Sequence, residues 1–143
     1  NYDWLECSIF LMIANSEITD YYLTEEELIT IISKAESLAS KFNFERKSFT
    51  KEEVKEKFNI AFEWYNSIGD AAPEGDMNTK VLQEMNSVAG YLKKQRWFTT
   101  EFAQTLLENL IEVAKVDDEL IKNEKHIINT IAEKWRLIRP FED

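Results

Sequence analysis

The sequence predicts an all-α protein: a single compact helical domain of six to seven helices, with two pseudo-repeated helix–acidic turn–helix units near its ends. Three observations predict it. Apolar residues recur at three- and four-residue spacing through most of the chain, the period of an amphipathic helix with one face turned inward. Hydroxyl residues followed three positions later by glutamate mark helix starts at Thr24-Glu25-Glu26-Glu27 and Thr50-Lys51-Glu52-Glu53, where hydroxyl and carboxylate satisfy each other's backbone amides. No segment shows the apolar/polar alternation between turn pairs that a hairpin requires.

The elements follow in order. The first unit spans about residues 4–40 and the second about 100–138. Leu5, Ile9, Met12, Ala14, Asn15, Ser16, Glu17 and Ile18 are answered 102 residues later by Leu107, Ile111, Ala114, Val116, Asp117, Asp118, Glu119 and Leu120. After three extra residues in the first copy, Glu25, Leu28, Ile29, Ile32 and Ser33 are answered 99 residues later by Glu124, Ile127, Ile128, Ile131 and Ala132. Between the units, Val54, Phe58, Ala61, Phe62, Tyr65 and Ile68 define a central helix over 50–68 that ends near Gly69. The stretch from Gly69 to Asp76, with two of the three glycines and one of the two prolines, reads as the central connection. Val81, Leu82, Met85, Val88, Ala89 and Leu92 define the next helix over 77–96, closing on Lys93, Lys94 and Arg96, cations that suit a helix C-terminus. Gly90 inside it is expected to mark close helix packing. Thr99 or Thr100 caps the helix carrying Phe102, Leu106 and Leu110, and Pro140 is expected to stop the last helix after Ile138.

Composition sets the boundaries of function. A chain of 143 residues is one domain, long enough for a real core without a disulfide or structural metal. Twenty-seven acidic against seventeen basic residues leave a net charge of −10, which repels phosphate backbones and anionic membranes and attracts cations or basic partners. The expectation is a protein partner, no direct nucleic-acid binding, and membrane association only through partners. The apolar run from Ile9 to Ala14 is far short of the ~20 residues of a spanning helix, and the lone Cys7 fits a reducing compartment, so a cytoplasmic protein is expected. The chain opens at Asn1, which leaves room for a native start or a leader ahead of it.

Chemistry is sought at the acidic turns. In Val116-Asp117-Asp118-Glu119-Leu120-Ile121-Lys122-Asn123-Glu124, carboxylates end one helix and begin the next, and hard divalent cations prefer such oxygen ligands. The spacing is not that of an EF-hand loop. A structural reading competes with this one: Asp117 caps a helix end, and Glu124 complements the dipole of the next helix start.

At these turns the chain resembles the TerB-like family of tellurite-resistance and general stress proteins, whose repeated signature runs roughly Ala-Asp-Gly-Glu-Ile and then Glu. The same turn occurs in the N-terminal region of DjlA-type co-chaperones. Here the signature stands as Ala14-Asn15-Ser16-Glu17-Ile18 with Glu25, and as Val116-Asp117-Asp118-Glu119-Leu120 with Glu124. The resemblance covers nearly the whole chain and implies a compact all-α domain of about seven helices, no catalytic activity, and metal or acidic-surface binding at the turns. The usual glycine is Ser16 in one copy and Asp118 in the other, and Asn15 stands where an aspartate is expected. Asn15 and Glu25 therefore read as a degraded site, which the added residues around Asp20-Tyr21-Tyr22 displace further. The divalent-ion site falls to Asp117 and Glu124, assisted by Asp118 or Glu119; no other cofactor is implied, and the ion's identity is open.

The remaining reactive side chains read as structural. His126 lacks the Glu-x-x-His setting of a di-iron bundle, a single His and a single Cys cannot build a zinc site, and Cys7 among Ile9, Phe10 and Leu11 reads as a core thiol. The four tryptophans fall on or near apolar stripes; for Trp97-Phe98, packing is preferred over a docking patch beside Lys93, Lys94 and Arg96. Three functions compete: a non-enzymatic TerB-like stress-response or interaction module; an acidic nucleic-acid mimic that inhibits a basic protein; and a metal-dependent enzyme. Interspersed Lys and Arg at 45–57 and 93–96 count against the mimic, and no acid/base pair or open ligand set supports the enzyme.

Overall fold

The polypeptide between Trp4 and Glu17 has no polar stripe wide enough to face water, and it is buried on every side. A helix that is apolar all round belongs in the middle of a fold. In the computed structural model, which describes residues 1–20, 23–44, 48–71, 77–116 and 120–142, helix α1 (Trp4–Asp20) touches each of the other five helices. These are α2 (Glu25–Lys41), α3 (Lys51–Ala71), α4 (Met77–Lys93), α5 (Thr100–Ala114) and α6 (Lys122–Lys134). Among the described residues there is no strand, so the all-α, single-domain expectation holds.

The helix starts follow the capping chemistry. Thr24 and Glu27 exchange bonds at the start of α2, with Glu27 N–H donating to Thr24 Oγ1 (3.1 Å) and Thr24 N–H to Glu27 Oε1 (3.0 Å). Thr50 and Glu53 do the same at α3, and Thr99 Oγ1 accepts from Phe102 N–H at α5. Asp3 and Glu6 form a further reciprocal pair at α1, both bonds 2.8 Å. Helix ends depart from expectation. Helix α3 continues through Gly69 to Ala71, since a glycine in an exposed last turn costs only about 1 kcal/mol; residues 72–76 of the expected connection lie outside the described residues. Helix α4 closes at Lys93, and Lys94 to Trp97 form a tight turn. Helix α6 stops at Lys134, well before Pro140, because Arg136 takes a left-handed conformation (φ 59°). Arg136 N–H then reaches Glu133 O (3.1 Å) and Leu137 N–H reaches Ala132 O (2.8 Å), a Schellman closure with arginine where glycine is usual.

An aromatic lattice sets the direction of all six helices. Trp4 meets Phe44, Phe49, Trp97 and Phe102 edge-on, with centroids 5.0 to 6.4 Å away; Phe44 stacks on Trp97 at 4.2 Å, and Phe98 lies 5.5 Å from Trp135. These rings gather the starts of α1, α3 and α5 and the ends of α2, α4 and α6 at one pole. Trp97 and Phe98 are therefore packing residues. Trp135 adds a buried bond from Nε1 to Ala89 O (3.0 Å), tying α6 to α4. A Cβ on neighbouring Gly90 would meet the flexible tip of Lys134 at an ordinary 3.6 Å, so close packing does not require this glycine. The opposite pole collects the C-termini of α1, α3 and α5 and the N-termini of α2, α4 and α6.

Candidate functional site

That opposite pole holds the helix ends that flank both acidic turns. Asp117, Asp118 and Glu119 lie outside the described residues. Their expected partner Glu124 is buried in the first turn of α6, where its Oε1 accepts from Ile121 N–H at 3.1 Å. This is half of a capping box, since the isoleucine side chain has no acceptor to return the bond. At the first turn, Glu25 is exposed at the start of α2. Asn15 is only 1% exposed, and neither its amide nitrogen nor its carbonyl oxygen has a hydrogen-bond partner among the described residues. The buried carboxylate of this turn is instead Glu27.

Glu27 and Glu124 occupy the same place in their helices, three residues after N-caps that stand 97 residues apart. The same offset pairs Ile31 with Ile128, Ala35 with Ala132 and Leu38 with Trp135, buried against buried. The expected offset of 99 pairs Ile29, 58% exposed, with the fully buried Ile128. Burial in the second half of each unit thus follows the helix caps and not the best match of residue types.

Glu27 does not sit alone. Its Oε2 accepts from Ser16 Oγ, and its Oε1 accepts from Thr24 Oγ1 at 3.0 Å. Glu17, one residue further along α1, is 3% exposed and lies within the field of the Glu27 charge. Burial, then repulsion by Glu27, pushes the Glu17 carboxyl up to about 7, against the pull of a hydrogen bond from Tyr65 on α3. Near neutrality Glu17 is therefore a half-protonated acid inside the protein. Spacing did not single out this pair, because Glu17 and Glu27 lie on different helices; the available signal was the Thr24–Glu27 capping box, which aims Glu27 back at the end of α1.

Charge and reactivity elsewhere agree with the structural readings. The Cys7 thiol is buried and pushed up to about 12 by burial and the charges of Asp3 and Glu6, which leaves no thiolate for nucleophilic work. His126 is exposed. Among the described residues no three His, Cys, Asp or Glu side chains converge as a metal-holding group, and no helix is long and apolar enough to cross a membrane. Comparison with protein-family models, with curated proteins and with solved structures finds no match to this chain.

Proposed function

We propose that this chain is a non-enzymatic interaction module of the TerB-like kind, and that its carboxylate-rich pole receives a basic surface on a protein partner. The observation that supports the reading is the chain's net charge of −10 together with the carboxylates exposed at the helix ends of that pole. At the carboxylate pole Glu25, Glu26 and Asp70 are exposed, beside Lys80, Lys115, Lys122 and Lys125. At the aromatic pole Lys41, Lys51, Lys93, Lys94, Arg96, Lys134 and Arg139 offset Glu52, Glu53, Glu101 and Glu133. A net charge of −10 attracts a cationic partner, and Glu25, Glu26 and Asp70 are exposed carboxylates of that pole available to meet it.

The test is a salt titration of binding to a lysine- and arginine-rich peptide. Reversing Glu25, Glu26 and Asp70 to lysine is expected to cut affinity at least about tenfold, a loss of ~1.4 kcal/mol, while reversing Glu52, Glu101 and Glu133 changes it little. Equal loss from both triple variants would mean that net charge alone attracts the peptide and would sink the reading. Retention of a divalent ion by Asp117 and Glu124 is its cation-loaded form. Chelated protein warmed with calcium, magnesium, manganese or zinc should then melt later, by about 2.7 kcal/mol of added stability at 100 times Kd, and Glu124→Ala and Asp117→Ala should abolish the gain.

A further inference from the structure

Beside the aromatic pole, a cleft of about 690 Å³ opens between the start of α1, the middle of α3 and one face of α4. Its volume falls in the range of sites that take small organic ligands. Glu84, Ser87, Val88 and Tyr91 line it from α4, at the three- and four-residue spacing that puts them on one side of that helix. Tyr2, Asp3 and Trp64 form the facing wall, with buried Cys7 at the floor. Asn1 completes the rim with its backbone ammonium, and no lysine or arginine side chain lines this cleft.

The aromatic wall is held rigidly. Trp64 is sandwiched, with Tyr2 stacked on it at 3.9 Å and 3° and Phe10 at 4.0 Å and 20°. Its Nε1–H donates to Glu84 Oε2 at 3.1 Å, which fixes that carboxylate against the indole edge. Tyr2 and Tyr91 are 37% and 49% exposed, so phenol rings remain open to the cleft. The two carboxylates differ. Asp3 has its charge met by Lys57 Nζ at 2.7 Å, whereas Glu84 is half-buried with no cation against it among the described residues.

We propose that this cleft binds an organic cation, an alkylammonium group seated between the open tyrosine rings and the Glu84 carboxylate. Aromatic faces and a carboxylate attract the same charge, and an alkylated ammonium sheds its hydration more readily than a metal ion does. The uncharged thiol at the floor offers no competing charge. The proposal is independent of docking at the carboxylate pole.

The experiment follows the four tryptophan indole N–H resonances of the full chain by NMR during titration with choline, Trp64 being assigned by Trp64→Phe. A saturable shift of the Trp64 resonance is expected, with Kd of about 1 mM or tighter, and none with 3,3-dimethylbutan-1-ol, the uncharged isostere of choline. Glu84→Gln keeps an acceptor for the indole and should weaken choline at least about tenfold while the other three indole resonances stay in place. Tyr91→Ala, on an exposed position, should weaken it less. A parallel titration with Nα-acetyl-lysine methylamide separates the sources: tighter binding than choline assigns the site to a lysine side chain of a protein, weaker binding to a free amine. Equal binding of choline and its neutral isostere overturns the proposal, as does the absence of a saturable shift with both cations.

Discussion

At the N-terminus of α1, Asp3 and Glu6 are buried or half-buried beside Lys57, whose Nζ lies 2.7 Å from one and 3.4 Å from the other. At the C-terminus of the same helix, Glu17 faces Glu27, and the bonds described there come from the hydroxyls of Ser16, Thr24 and Tyr65 and from the Thr24 amide. Both ends bring two acids into the protein. The first sits at the positive end of the α1 dipole and has a cation; Glu17 sits at the negative end of that dipole and is partnered by a proton. A buried acid pair is thus stabilised by charge at one end and by protonation at the other, and only the second arrangement makes stability depend on neutral pH.

The comparison breaks most sharply at Lys57. Burial works against its ammonium, but the bonds and charges of Asp3 and Glu6 outweigh that and hold its pKa above the usual lysine value. Lys57→Met leaves two acids without their cation and should cost about 3 kcal/mol, read as a lower urea midpoint at pH 7. Glu17→Gln sharpens the contrast from the other side. A carboxyl with an ordinary pKa of 4.5 unfolded and about 7 folded binds more protons in the folded state between those values. Stability therefore falls as pH rises from about 4.5 to 7 and levels off above, by about 3 kcal/mol at most. Glu17→Gln should stabilise the protein at pH 8 by about 1–3 kcal/mol and do nothing at pH 4, so the difference between its urea midpoints and those of the parent chain isolates this group. A difference independent of pH would show that Glu17 does not titrate in this window.

Two smaller tests bear on the aromatic pole. Arg136→Gly removes the cost of a left-handed non-glycine residue, against the added flexibility of the unfolded chain, for a net gain of up to about 1 kcal/mol. Gly90→Ala places a methyl in ordinary contact with Lys134 on a helical position and should add about 0.5–1 kcal/mol. Loss of stability in that variant would mean that α4 and α6 approach more closely than this structure shows. Both are read from thermal unfolding.

Much of the architecture was legible because local chemistry specifies it. Thr24 and Thr50 start their helices as their spacing from Glu27 and Glu53 implies, Thr99 is the one of two expected threonines that caps α5, and the stripes on α3 and α4 face the core at Val54, Phe58, Ala61, Val81, Met85 and Val88. Helix ends were harder to read. Gly69 and Pro140 are strong breakers in isolation, yet α3 ends two residues after the glycine and α6 six residues before the proline, because termination depends on where the next packed side chain pulls the backbone. The Glu17–Glu27 pair was not legible as a site: one member was read as part of a repeated turn and the other as a cap, and only the antiparallel packing of α1 and α2 sets them face to face. Asn15 drew attention as a weakened ligand; its structural peculiarity is instead a fully enclosed amide with no bond among the described residues.

The placement of α1 at the centre has a consequence for biosynthesis. Of the six helices the most apolar is made first, while α6, one of the five that enclose it, is made about a hundred residues later. At 5–20 residues per second, α1 waits on the order of 10 s before it is fully enclosed. Neither half of the chain supplies all five neighbours of α1, so its burial is completed only when α6 has been made.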